Sequence, residues 1–461
     1  MVWVLLLWAV SGQGPDARER LAEAIREARP LEARGALADL TAGDGARAAR
    51  AILAGLPRAR DQMASLCTLT VRARLEYDRI ESDFTFSTFE ERLKEKMLAE
   101  AKELIRETGR KAVDAELVYD ALREAIPRLP LEGDDVLAEQ LERTGSWLLK
   151  CELLEGLGAG GAREPLLKVL DRREPVAVLA TALAGLSHGR AADYLSHSQW
   201  QVRLGALRGI RGTRGAAGTV IGRMAEPDWR FRKEAAAVLR GLTGTDLPPD
   251  PGAWKDWWAA NGEDFLAGRY NPASPRTAPG PGRTTFFEVP IFSSRVCFVI
   301  DRSASMRENG RFGSAKKELK RLLGEMPDGS LVNVIFFGEG TVCFARSMRA
   351  LDASARREAG EFIDRQLHDR GTDLYRALEK AVSLVGSPET GALREDGPDT
   401  IVVLSDGQAT VGRLVDDELV GRVVARRARY LRPVIHTISL TSDARSMKAL
   451  ALLTGGEYRK H

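Results

Sequence analysis

Arg295-Val296-Cys297-Phe298-Val299-Ile300-Asp301-Arg302-Ser303-Ala304-Ser305 joins a near-continuous apolar run to a cluster of oxygen-bearing side chains. Side chains alternate between the two faces of a strand, so a run without polar interruption belongs to a strand buried on both faces. Residues 295–300 are therefore read as a central strand, and the D-x-S-x-S sequence 301–305 as the loop at its carboxyl end. Further on, Leu331 to Phe337 and Thr341 to Phe344 flank Gly338-Glu339-Gly340 and read as a hairpin at the sheet edge. Thr400 to Leu404 and Val434 to Leu440 add two buried strands, and amphipathic helices are expected near 313–326, 354–366, 374–385, 416–431 and 445–453. Strands alternating with helices predict a doubly wound α/β domain, a parallel sheet covered on both faces, over residues 284–461.

In such sheets the functional crevice lies beyond the carboxyl ends of the strands, where strand order reverses. Three polar clusters fall at strand ends or loops: Asp301-Arg302-Ser303-Ala304-Ser305, Gly371-Thr372-Asp373-Leu374 and Ser405-Asp406-Gly407. Two carboxylates and three hydroxyls offer only oxygen, which suits Mg²⁺, Mn²⁺ or Ca²⁺ and disfavours zinc or copper. Two anionic ligands leave such an ion electrophilic, with a position open to water or to an incoming carboxylate. No nucleophile–base pair and no second metal cluster is readable, so no catalytic residue is assigned.

At these residues the chain resembles the von Willebrand factor A family and its metal-ion-dependent adhesion site. The resemblance implies a Rossmann-like domain holding one divalent cation, Mg²⁺ first, with Mn²⁺ or Ca²⁺ as alternatives. Carried over by motif, Ser303, Ser305 and Thr372 would touch the metal, while Asp301 and Asp406 would act directly or through bound water. It also implies a non-enzymatic module whose cation accepts an acidic residue of a protein ligand. The family often has Gly where Ala304 stands, and Ala304 adds only a methyl group. Where the family has a small apolar residue this chain has Arg302, read as turned to solvent or, alternatively, as standing near the open coordination position. Two other functions stay open: a metal-dependent hydrolytic enzyme, and a structural protein whose cation only fixes loops.

Upstream, Asn271 to Gly282 holds four prolines and two glycines and reads as part of a linker, 269–283, between units with independent cores. Before it, Trp200-x-x-Arg203-x-x-Ala206 recurs as Trp229-x-x-Arg232-x-x-Ala235, and Gly156-Leu157, Gly185-Leu186 and Gly241-Leu242 close comparable helical stretches. That spacing resembles short HEAT-like repeats over 146–268, with the two tryptophans as packing residues at helix starts. Trp254 to Trp258 reads as an aromatic lid on this part. Residues 15–145 read as helical, with a capping box at Ser87 to Glu91 ahead of a helix that Gly109 ends. The whole is thus multidomain: all-α first, then α/β.

Lys and Arg number 68 against 65 Asp and Glu, so no strong one-sign field favours nucleic acid as a partner. The four cysteines, Cys67, Cys151, Cys297 and Cys343, are far apart and offer no zinc motif; buried free thiols are the simpler reading of Cys297 and Cys343. Val2 to Val10 is an apolar run before Ser11-Gly12, read as a signal peptide over 1–14 that exports the chain to a periplasmic, cell-surface or secreted location. If the run is fortuitous, the chain is cytoplasmic. It is too short to span a bilayer, and no later segment approaches the ~20 apolar residues a membrane helix needs.

Overall fold

The computed structural model describes residues 16–82, 91–129, 131–226, 228–271, 285–440 and 444–461, which group into two compact units. The signal-peptide and capping-box segments lie outside the described residues, as does most of the expected linker. Among the described residues no helix is long and apolar enough to cross a membrane.

The first unit comprises residues 1–145 and 155–162 and is helical: α1 (Ala17–Arg26), α2 (Pro30–Thr41), α3 (Gly45–Ser82), α4 (Glu91–Ala125) and α5 (Leu131–Arg143). Gly109 does not end a helix; α4 runs through it, and Thr108, Gly109, Ala112 and Ala115 form part of its buried face. Packing of α4 along α3 outweighs the roughly 1 kcal/mol that a mid-helix glycine costs.

The second unit comprises residues 146–154 and 163–461. Its helices before the sheet are α6 (Trp147–Gly160), whose last turns belong to the first unit, α7 (Arg163–Leu170), α8 (Val176–Gly185), α9 (Trp200–Gly209), α10 (Ala217–Arg223), α11 (Trp229–Thr243) and α12 (Pro251–Leu266). Trp200 and Trp229 do open helices, and Trp200 is buried. Gly156 and Gly241, however, sit inside α6 and α11 rather than at their ends. Trp254 and Trp257 are core residues of α12, edge-on to one another at 5.8 Å, and not a lid.

The sheet follows: β1 (Thr285–Phe286), β2 (Val289–Pro290), β3 (Arg295–Asp301), α13 (Arg311–Glu325), β4 (Leu331–Phe337), β5 (Thr341–Cys343), β6 (Arg349–Ala350), α14 (Ala353–Asp364), α15 (Leu374–Val385), β7 (Thr400–Ser405), α16 (Asp417–Ala428), β8 (Val434–Ser439), α17 (Arg445–Thr454) and β9 (Tyr458–Lys460). Strand order is β5-β4-β3-β7-β8-β9, with β6 also on β4; β3, β4, β7, β8 and β9 are parallel, while β5 and β6 run antiparallel to β4. Val296, Phe298 and Ile300 point to one face, into a core with Phe312, Leu319 and Leu322 of α13, Val334, Phe336, Ala359, Ile363 and Leu404. Asp352, Asp373 and Asp416 cap α14, α15 and α16 by accepting from Ala355 N, Arg376 N and Leu419 N. Because β4 and β7 flank β3 on opposite sides, strand order reverses at β3, where Asp301 ends the central strand.

Helices and sheet of this unit share contacts. Arg230 of α11 is buried, donates to the carbonyls of Asp399 and Arg432, the latter at 2.9 Å, and lies over the Trp200 ring. Arg432 in turn donates to Ala180 O at 3.3 Å, and the Trp147 indole donates to Glu389 O at 3.0 Å.

His436, buried in β8, accepts at Nδ1 from Glu457 N, and burial holds its imidazole down at about 4 against an ordinary 6.5. A depressed folded value contributes stability that is present above 6.5 and lost as pH falls through about 4. Between those pH values wild type should lose on the order of 3 kcal/mol relative to His436→Gln, as read from urea midpoints. Parallel midpoints across that range would contradict the assignment.

Candidate metal centre

β3 ends on Asp301, and the chain turns there because Asp301 Oδ1 accepts from Ser303 N at 2.7 Å. Its other oxygen accepts from Ser405 Oγ at 2.5 Å, which ties the ends of β3 and β7 together. Ser303 Oγ lies 3.1 Å from Ser305 Oγ, and Ser305 Oγ donates to Asp406 Oδ1 at 2.7 Å. Asp301, Ser303, Ser305 and Asp406 thus form one bonded set; Asp301, Ser303 and Asp406 are buried, and Ser305 is exposed at the mouth.

Thr372 is bonded to Thr410 and not to the set itself. Its N–H donates to Thr410 Oγ1 at 2.9 Å and its carbonyl accepts from Thr410 N at 3.0 Å, so the loop that follows Asp406 holds it. Gly371 has φ +24 and a Cβ there would meet Val411 at 2.6 Å; Gly412, at φ +102, would meet the Asp373 carboxylate at 2.3 Å. Only glycine fits these close approaches. Asp373 caps α15, and its N–H donates to Gly338 O at 2.7 Å.

Burial pushes the Asp301 carboxyl up to about 6, against the hydrogen bonds from Ser405 and Ser303, and the Asp406 charge adds to the rise. Of these two carboxylates only Asp406 has a cationic side chain beside it, Arg311 NH1 at 3.2 Å from its Oδ2. The neighbouring side-chain oxygens are the hydroxyls of Ser303, Ser305 and Ser405, and among the described residues no three His, Cys, Asp or Glu side chains converge on a point. Such an all-oxygen set of low charge fits a hard divalent cation.

Arg302 follows neither reading. Its guanidinium pairs with Asp369 at 3.0 Å and donates to Leu367 O at 3.3 Å, while Asp369 N donates to Arg302 O at 2.8 Å. It therefore fastens the 301–305 loop to the loop that leads to Thr372. The sequence reading named Ser405 in its third polar cluster but gave it no role, and it passed over Arg311, whose NH1 stands 3.2 Å from Asp406 Oδ2. No spacing rule signals the latter.

Residues 296–408 match the family model of the von Willebrand factor type A domain. The Asp301 and Asp406 strand ends both lie inside that match, as does Thr372. Solved structures that match part of the chain include a von Willebrand factor type A protein from Catenulispora acidiphila, at 19% identity, 38% of this chain, 40% of that one and TM-score 0.29. Another is proximal thread matrix protein 1 from the mussel byssus, solved with a zinc-occupied MIDAS motif, at 16% identity, 36% of this chain, 40% of that one and TM-score 0.28. A third is the ArnB paralog VWA2 from Sulfolobus acidocaldarius, at 19% identity, 36% of this chain, 40% of that one and TM-score 0.25. The chain thus spans about 40% of the length of these proteins. Among curated proteins none matches the chain.

Proposed function

We propose that the chain is a protein-binding module whose von Willebrand factor type A domain holds one divalent cation, Mg²⁺ first, with Mn²⁺ or Ca²⁺ as alternatives. The observation that carries this reading is the single bonded set of Asp301, Ser303, Ser305 and Asp406 at the ends of β3 and β7. Ser303, Ser305 and Thr372 are the direct ligands, and Asp301 and Asp406 act directly or through water. When bound, the cation supplies an electrophilic position that takes one carboxylate oxygen of a ligand Asp or Glu. Asp301 and Asp406 provide only two negative charges, so an incoming anion meets no net repulsion. The exposed edge at Ser305 leaves that position accessible. HEAT-like helix pairs act as the scaffold, and the chain is exported through its N-terminal apolar run.

The proposed role is non-enzymatic, and a metal-dependent hydrolase is the alternative. His368, four residues before Thr372, stacks on Phe312 at 4.9 Å, and its Nδ1 has no hydrogen-bond partner. The test is capture of a partner from the native source with Mg²⁺, with EDTA, and with Thr372→Ala. Binding should fall at least roughly tenfold in both the second and third cases, because a few central contacts dominate such interfaces. A partner held equally in EDTA would make the cation structural, and metal-dependent turnover would favour an enzyme.

A further inference from the structure

Arg311 opens α13 directly after a tight turn, Asn309 at φ +51 and Gly310 at φ +67. A cation at the first position of a helix faces the positive end of the helix dipole, an unfavourable place unless anions compensate it. Three acceptors surround its NH1: Asp406 Oδ2 at 3.2 Å, Glu308 Oε2 at 3.3 Å and Ser305 O at 3.5 Å. The Asp406 side chain is fully buried, the Glu308 side chain is 70% exposed, and Arg311 itself is 17% exposed between them. Ser305 thus takes one oxygen of Asp406 and Arg311 takes the other.

From this geometry we infer that Arg311 is an internal counter-ion of the metal-free site, and that cation binding is an exchange in which Asp406 gives up Arg311. The inference rests on the metal reading proposed above. Without a cation, buried Asp301 and Asp406 repel each other, and the guanidinium neutralises one of them. With a cation present, Arg311 becomes a like charge beside it, and Glu308 is the partner already within reach on the solvent side. Arg311 then stands at the rim beside exposed Ser305, a second cationic group facing an acidic ligand. The exchange makes the net affinity for the cation weaker than Asp301, Ser303, Ser305, Thr372 and Asp406 alone would give.

The test is calorimetric titration of Mg²⁺ into wild type, Arg311→Met and Arg311→Gln, with thermal melts of each with and without Mg²⁺. Methionine keeps the length of the stem; glutamine keeps a donor for Asp406 without the charge and serves if the methionine variant does not fold. Removing the competing charge should tighten Mg²⁺ binding roughly tenfold or more, the scale of one charge-assisted hydrogen bond. It should also enlarge the rise in melting temperature that Mg²⁺ produces. Equal or weaker Mg²⁺ binding by the variants would overturn the exchange while leaving the site in place. If neither wild type nor variants bind Mg²⁺ or Mn²⁺, the metal reading itself fails and the exchange with it.

Discussion

Asp301→Ala should lower Mg²⁺ affinity by roughly 100-fold or more while the fold is retained, since loss of an outer-shell partner alone costs about 10–100-fold at metal sites. Asp301 is the convergence point of the set: one oxygen fixes the 301–305 turn through Ser303 N, and the other holds Ser405. Its removal deletes half of the negative charge and loosens the turn that aims both serines. The fold survives because a buried carboxylate raised to about 6 is itself a burden on the folded state, which offsets the roughly 1–3 kcal/mol of orphaned donors. Asp301→Asn keeps the shape and one acceptor, so it should bind metal weakly yet melt close to wild type without metal. Normal calorimetric binding by Asp301→Ala would remove Asp301 from the site.

Arg230→Met should destabilise the second unit by about 3–5 kcal/mol, the cost of breaking a buried charged network from one side. Burial holds the Arg230 guanidinium below its ordinary range, and the nearby charges of Asp399 and Glu234 oppose that shift. The Asp399 carboxyl, raised to about 6 by burial, is held by Ser293 Oγ at 2.6 Å and Thr400 Oγ1 at 2.7 Å. Deleting the guanidinium orphans the carbonyls of Asp399 and Arg432 and leaves the Asp399 carboxylate without its nearest positive charge. A shift in urea midpoint worth less than about 1 kcal/mol would show that α11 rests on the sheet without supporting it. In the same vein, a chain cut at a protease site engineered between Asn271 and Thr285 should stay associated in wild type and fall apart sooner in Arg230→Met.

Much of the sheet was legible because its central strands carry their own signal. β3, β4, β7 and β8 are buried on both faces and rich in apolar residues, and the intervening helices keep helical spacing with an Asp cap at three of their starts. The short strands were not. β1 and β2 meet across Phe287 at φ +45 and Glu288 at φ +64, where turn chemistry would favour Asn or Gly. β9 holds Tyr458-Arg459-Lys460 and is a strand only because β8 offers it an edge. Upstream, Gly109 and Gly156 were read as stops although each lies inside a helix; Gly156 is close-packed, since a Cβ there would lie 2.0 Å from Ile126 Cγ2. Local propensity points one way at such positions and tertiary contact decides.

The site divides along the same line. Asp301, Ser303, Ser305, Thr372 and Asp406 could be proposed from motif order because each sits at a strand or helix boundary that the pattern itself marks. The pairing of Arg302 with Asp369 and of Arg311 with Asp406 spans 67 and 95 residues of chain, and only the folded arrangement of the loops discloses it. The union of α11 with the base of the sheet was hidden for a similar reason, since a proline-rich stretch describes its own stiffness and says nothing of what packs across it.

The most direct test is a crystal of the whole chain grown with Mn²⁺ and measured at the manganese absorption edge. One anomalous peak should lie within about 2–2.5 Å of the hydroxyls of Ser303 and Ser305, bounded by Asp301, Thr372 and Asp406, with Arg311 turned away from Asp406. A map with no peak among these residues at saturating Mn²⁺, or with its peak elsewhere on the chain, would contradict the account.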